Sequence, residues 1–202
     1  QSFFARTQLE WLERLQVELS LGLNENKIGY QQRYPVPQEN KENIDFGSTW
    51  MPRAALSYLI TPMFALRASI SKGFSAPTVA EVRSSDNTIN TMLKPETGTN
   101  HELGLRWHLW NRRIILDAAA YTYQMNNAII RQVRDNGAEY FQNAGKINQK
   151  GLEASLFVYL IRPQATGMVR SLQLTSNFSL NDYSFKTYQI GDKNYKDNKL
   201  PA

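Results

Sequence analysis

Apolar and polar residues alternate with a period of two along most of this chain. Residues 14–24 set Leu15, Val17, Leu19, Leu21 and Leu23 against Gln16, Glu18, Ser20, Gly22 and Asn24. Residues 63–72 place Phe64, Leu66, Ala68 and Ile70 opposite Arg67, Ser69 and Ser71. Residues 102–110 place Leu103, Leu105, Trp107 and Leu109 opposite Glu102, Gly104, Arg106 and His108. The pattern recurs in 151–161 and 171–181, and more weakly in 3–11, 53–60 and 114–123, where Asp117 lies opposite Leu116 and Ala118. Successive strand residues point to opposite faces of a sheet. The spacing therefore predicts eight strands, each near the roughly 9–11 residues that cross a bilayer when tilted. Faces this uniform predict an all-β antiparallel sheet between lipid and water. Leu12, Leu15 and Leu19 also have helical spacing, but Val17, Leu21 and Leu23 break a helical stripe and complete the period-two face. Strand wins.

The connections alternate in length. Leu12-Glu13-Arg14, Thr61-Pro62 and Asn111-Arg112 are tight, and residues 162–168 are only somewhat longer. Between them lie long polar segments at 25–47, 74–98 and 125–146, and a tail from Ser184. Long loops on every second connection are expected of outer-membrane barrels, whose periplasmic turns are short and external loops long. Trp11, Tyr58, Phe64, Trp107, Trp110 and Tyr159 lie near the tight turns, where an interfacial aromatic girdle would sit.

Composition adds exclusions. The chain is 42% hydrophobic with a mean hydropathy of −0.49, as suits a barrel with a polar lumen. No run approaches the roughly 18 apolar residues of a membrane helix. With no cysteine there is neither a disulfide nor a thiolate metal site. The net charge is +5, yet the four long segments carry −1, −1, +1 and +2, so the other +4 lies in strands and tight turns, notably Arg14, Arg112, Arg113, Arg162 and Arg170. A nucleic-acid footprint would cluster such charges with stacking aromatics on one surface, so no nucleic acid is expected as a partner. His101 and His108 are an odd number of positions apart and face opposite ways on one strand, so they make no local metal pair. No phosphate-cradling loop or nucleophile elbow is present. Neither an enzyme nor a cofactor is expected.

Several ordered motifs together resemble one family. Ser71-Lys72-Gly73-Phe74, Pro77-Thr78 and Glu81 are followed by Leu93-Lys94-Pro95-Glu96, then Asn100, Glu102-Leu103-Gly104-Leu105-Arg106. Later come Ala120-Tyr121, Asn127, Ile129-Ile130, Tyr140, Asn143-Ala144-Gly145-Lys146 and Lys150-Gly151-Leu152-Glu153. This series, with Phe3-Phe4-Ala5 at the start and Asn198-Lys199-Leu200-Pro201 at the end, resembles the barrel of TonB-dependent outer-membrane receptors. The resemblance covers nearly the whole chain. It implies residence in a Gram-negative outer membrane, outer-membrane lipid, a plug domain and TonB as partners, and a barrel of about 22 strands. No signal peptide, plug-like segment or closing strand is recognisable, so residues 1–202 read as a middle-to-late slice of such a barrel.

Candidate residues follow from these readings. The resemblance implies that lumen-wall residues Glu18, Arg67, Arg106, Asp117 and Glu153 hydrogen-bond the plug; ion pairing between neighbouring strands is the alternative. On the long segments, Tyr30, Arg33, Tyr34, Arg83, Arg131, Arg134 and Tyr140 combine aromatic surface with cationic forks suited to carboxylate, catecholate or hydroxamate oxygens. Ordinary loop decoration explains the same residues. Leu93-Lys94-Pro95-Glu96 is expected to be structural, because proline extends Lys94 and Glu96 can satisfy polar partners at a loop–strand junction. Gly73 reads as a kink, and Asn143-Ala144-Gly145 and Asp135-Asn136-Gly137 as turns. The leading reading is part of a receptor for energised import of a ferric siderophore or similar scarce nutrient. A passive pore or surface-binding barrel and a soluble all-β binding module remain alternatives.

Overall fold

The computed structural model describes residues 1–31, 33, 40–163, 167–190 and 193–200. Eight long strands form one antiparallel sheet: β1 (Ser2–Trp11), β2 (Leu15–Tyr30), β3 (Glu42–Thr61), β4 (Phe64–Ser75), β5 (Glu96–Leu109), β6 (Ile114–Asn126), β9 (Lys146–Ile161) and β10 (Leu172–Thr187). They pair in chain order, β1-β2-β3-β4-β5-β6-β9-β10, and β1 and β10 stand at its two edges. The free edge of β10 begins to take up another segment, because Leu200 N–H donates to Tyr183 O at 2.9 Å and Phe185 N–H to Asn198 O at 3.0 Å.

Register converts the alternating sequence into two chemically distinct faces. On one, Val17 pairs with Leu56, Leu56 with Ala68, Ala68 with Leu103, Leu103 with Ala120, Ala120 with Leu152 and Leu152 with Leu180. A slip of one residue at any pair would invert that strand's faces. Among the described residues nothing covers this apolar face: Leu103 is 62% exposed and Leu180 60%. Near the tight turns it is edged by exposed Trp11, Tyr58 and Trp107, and Phe64 meets Trp107 edge-on with ring centroids 5.7 Å apart.

All eight expected strands are present, but they are longer than the alternation foretold. β3 has 20 residues, roughly 65 Å of chain at about 3.3 Å per residue. The extra length lies at the end away from the tight turns. There polar residues pair through the backbone, so the ladder continues after the apolar pattern stops.

The long segments correct a second expectation, since three of them carry structure of their own. The first contains a one-turn helix, α1 (Val79–Val82). The second folds into a hairpin of β7 (Ile129–Val133) and β8 (Glu139–Asn143). A further short pair, β11 (Gln189–Ile190) and β12 (Lys193–Asn194), lies beyond β10. Ile44 of β3, Val82 of α1 and Leu93 form a buried cluster, lined by Ile28, Tyr30, Phe46, Ile89, Ile129 and Phe141. The hydrophobic core therefore sits in a cap above the sheet.

Gly73 is a third correction. It stays in β4 opposite Gly98, and Tyr123 lies against both; the glycines make room for a ring and no kink forms.

The tight turns are strained where the sequence lacks glycine. Arg14 N–H donates to Trp11 O at 3.2 Å across Leu12 and Glu13, whose φ values are 49° and 55°. Two positive φ angles define a type I′ turn, which favours Asn-Gly. Leu12→Asn with Glu13→Gly is expected to stabilise the full-length protein by about 0.5–1 kcal/mol, read as a higher midpoint in thermal unfolding.

Candidate functional site

Two regions concentrate chemistry: the polar face of the sheet and the cap. On the polar face, the register brings Arg67 opposite Gly104 and Arg106 opposite Asp117. Asp117 accepts from Arg67 Nη2 at 2.5 Å and from Arg106 Nε at 2.7 Å. Arg67 also reaches Glu102 at 3.9 Å. Further along, Glu18 pairs with Arg6 at 2.7 Å and with Arg53 at 3.7 Å. Gly104 leaves room for the Arg67 side chain, because a Cβ on it would lie 2.5 Å from Arg67 Nε.

Glu153 stands on the same face, opposite Ala119 and Ser179. It forms no ion pair among the described residues. Around it the wall is neutral and polar: Ser155 donates to Asn177 at 2.8 Å, and the Tyr121 and Tyr183 hydroxyls meet at 2.8 Å. Four of the five wall residues read from the sequence thus join interstrand ion pairs.

The cap is held by the motifs the sequence singled out. Thr78 and Glu81 form a reciprocal capping box on α1: Thr78 N–H donates to Glu81 Oε2 at 2.7 Å and Glu81 N–H to Thr78 Oγ1 at 3.3 Å. Asn143 ties two loops together, accepting from Lys94 N–H at 2.8 Å and donating to Lys94 O at 2.9 Å and Asn127 O at 2.7 Å. Glu96 accepts from Ile129 N–H at 2.7 Å. Gly145 has φ +85°, and a Cβ there would strike Thr187. The structural expectation for Leu93-Lys94-Pro95-Glu96 therefore has a geometry: buried Leu93 anchors, and its neighbours bind across the loop junction. Gly137, with φ +81°, closes the β7–β8 turn by donating to Arg134 O at 2.9 Å.

The loop residues read as ligand contacts occupy varied positions. Tyr30 lies against the cap core and donates its hydroxyl to Glu42. Arg83 donates to Asn87 at 2.5 Å. Arg131 pairs with Glu139 at 2.7 Å. Arg134 pairs with Asp86 and lies 5.0 Å above the Tyr140 ring centroid. Arg33 is exposed, and Tyr34 lies outside the described residues. The structure brings Arg83, Arg131, Arg134 and Tyr140 into one cap. Sequence reasoning missed the cap residues Asn90, whose amide donates to Phe141 O at 2.9 Å, and Ser85, whose hydroxyl accepts from Glu139 N–H at 2.8 Å. Neither stands in a sequence pattern that would mark it.

The Asp86 carboxyl is held below its ordinary value of 3.8, first by hydrogen bonds from Thr88 and then by the Arg134 charge. A lowered carboxyl pKa stabilises the folded state above the unfolded value and loses that contribution as pH falls through the folded value. The Asp86–Arg134 tether is therefore expected to persist through the ordinary carboxylate range and to open only as pH falls below it. Amide exchange at Glu139 against pH in the full-length protein checks it.

The arrangement matches a known architecture. Over residues 1–202 the chain matches the family of TonB dependent receptor-like beta-barrels, and it belongs to that family. Its members are transport receptors that span the outer membrane of Gram-negative bacteria as β-barrels. Among solved structures, the siderophore receptor PirA from Pseudomonas aeruginosa is similar with a TM-score of 0.64 at 20% identity, over 90% of this chain and 32% of that one. The copper transporter OprC gives 0.71 at 14% identity, over 91% of this chain and 28% of that one. The ferric yersiniabactin uptake receptor FyuA from Yersinia pestis gives 0.68 at 14% identity, over 99% of this chain and 28% of that one. At these identities the likeness is one of fold. The chain spans about a third or less of these relatives' length. No curated protein matches it.

Proposed function

We propose that this chain is part of the barrel domain of an outer-membrane receptor that imports a ferric siderophore or a similar scarce chelate. Its polar face lines the lumen and contacts a plug, and TonB supplies the energy. The observation that supports the reading is the folded cap, where Val82, Leu93 and Ile44 form a core at the end of the sheet away from the tight turns; in this reading the cap meets the ligand. A preformed cap lowers the ordering cost of binding. Family membership supports it, as do fold relatives that are a siderophore receptor, a ferric yersiniabactin receptor and a copper transporter.

The test uses cells carrying the full-length receptor under iron limitation. Ferric chelate should bind saturably, and uptake should stop when the inner membrane is de-energised while binding persists. Uptake that survives de-energising overturns the energised mechanism in favour of a passive pore. Uptake of cobalamin or an iron-free sugar instead overturns the ligand class. Within this reading, exposed Arg33 is a ligand contact and Arg131 exchanges Glu139 for ligand. Arg33→Ala with Arg131→Ala should weaken capture of an anionic chelate by about 1–2 kcal/mol, since each arginine makes a solvent-accessible charged contact. Equilibrium binding checks it; unchanged affinity removes both from the site.

A further inference from the structure

The excess positive charge that the sequence places outside the long segments gathers on two neighbouring hairpin tips. β6 pairs with β9, so the β5–β6 turn lies beside Arg162, where the β9–β10 connection begins. Arg162 ties them together: its Nη2 donates to Asn111 O at 2.5 Å and Trp110 O at 3.3 Å, while Tyr159 N–H donates to Arg113 O at 2.8 Å. Arg112, Arg113 and Arg170 are all exposed, and none forms an ion pair among the described residues. The two turns contain no Asp or Glu. The other tight turns differ: Arg14 has Glu10 and Glu13 beside it, and Thr61-Pro62 is uncharged.

The same tips expose large apolar side chains. Trp110 is 77% exposed and Met168 fully so. At the adjoining strand ends Leu160 and Leu172 are also exposed. A soluble anion would need the arginines alone. An amphiphile needs both, with an anionic headgroup on the guanidinium groups and acyl chains on the adjoining apolar band. In this family the short turns face the periplasm, so the lipid is that of the periplasmic leaflet.

We propose that the β5–β6 and β9–β10 tips form a binding site for an anionic phospholipid, with Arg112, Arg113 and Arg170 taking the phosphate and Trp110 and Met168 lying at the acyl–headgroup boundary. Arg162 is a positioning residue that fixes the two turns to one another. Guanidinium forks suit phosphate oxygens, and indole favours the interface. The site anchors the rim of the barrel and is independent of the ligand proposed above.

The experiment reconstitutes the full-length receptor in nanodiscs of phosphatidylethanolamine containing a minority of phosphatidylglycerol, and reads co-purifying lipid by native mass spectrometry. The wild-type protein should enrich phosphatidylglycerol. Arg112→Gln, Arg113→Gln and Arg170→Gln together should cut that enrichment by about tenfold, and the three matching Arg→Lys changes, which keep the charge but lose the fork, should leave it between the wild-type and Gln levels. Enrichment unchanged in the Gln variant overturns the proposal. So does full displacement by soluble glycerol phosphate at equal concentration, which would mark a phosphate site indifferent to lipid. Should the triple variant fail to assemble, each single Arg→Gln change should lower enrichment by a smaller step, and three silent singles overturn the proposal equally. Chelate binding by the Gln variant should stay at the wild-type level, which separates failure here from failure of the import reading.

Discussion

Leu93→Ala is expected to destabilise the cap by about 2–5 kcal/mol, the usual cost of removing a buried leucine side chain whose cavity cannot collapse. Leu93 is 5% exposed and packs with Val82 and Ile44. Three chain segments meet there, through Ile44, through Val82 with Leu93, and through Ile129 with Phe141, so none can close the cavity without dragging its own loop. The loops depend on that core for their alignment. Lys94 and Asn143 exchange two hydrogen bonds, and Ser85 N–H donates to Glu139 O at 2.9 Å. The long strands have their own ladder and do not rest on Leu93. Native-state hydrogen exchange in the full-length protein should therefore show accelerated exchange at Ser85, Lys94 and Ile129, with β5 and β6 amides unaltered. Unchanged protection in the cap would show that its hydrogen bonds alone suffice.

Leu105→Arg is the second large effect, about 2–4 kcal/mol for a charge facing lipid near the bilayer midplane. Leu105 pairs with Leu66 on one side and Ala118 on the other, in the middle of the uncovered apolar face. No acidic side chain shares that stretch of the face, so an arginine would have to displace lipid or reach for an interface. Its neighbour Gly104 fails for another reason. It points to the polar face, where an added Cβ would come within 2.5 Å of Arg67 Nε and oblige that side chain to shift. Leu105→Arg should thus lower folding efficiency in bilayers while sparing the ion pairs of the polar face. Gly104→Ala should disturb the pairs without a lipid penalty. Reversible folding into lipid vesicles measures both, and equal tolerance of arginine at Leu15, Leu105 and Leu156 would rule out the lipid-facing assignment.

The two faces were legible because strand periodicity is local. Leu15 to Leu23 and Leu103 to Leu109 each declare a face through their nearest neighbours, and pairing in chain order aligns them. The structural role of Leu93-Lys94-Pro95-Glu96 was legible for the same reason, as a short motif with local geometry, whereas Thr78 and Glu81 stood in the sequence only as part of a family motif and their capping box emerged with α1. The β7–β8 hairpin was less so. Ile129-Ile130 and Tyr140-Phe141 are brief apolar runs in a polar segment, and the turn between them resembles ordinary loop chemistry.

By itself the sequence determined an all-β chain with one apolar and one polar face, because alternation is enforced residue by residue by the pleat. Only the tertiary structure decided which charges neutralise one another and which stand free. Asp117 meets Arg67 across 50 positions of sequence, Asn143 meets Lys94 across 49 and Arg162 closes on Asn111 across 51. Those meetings depend on strand register and on how far the ladders run past the apolar band. Both are set by pairing between distant segments, and no local pattern encodes them.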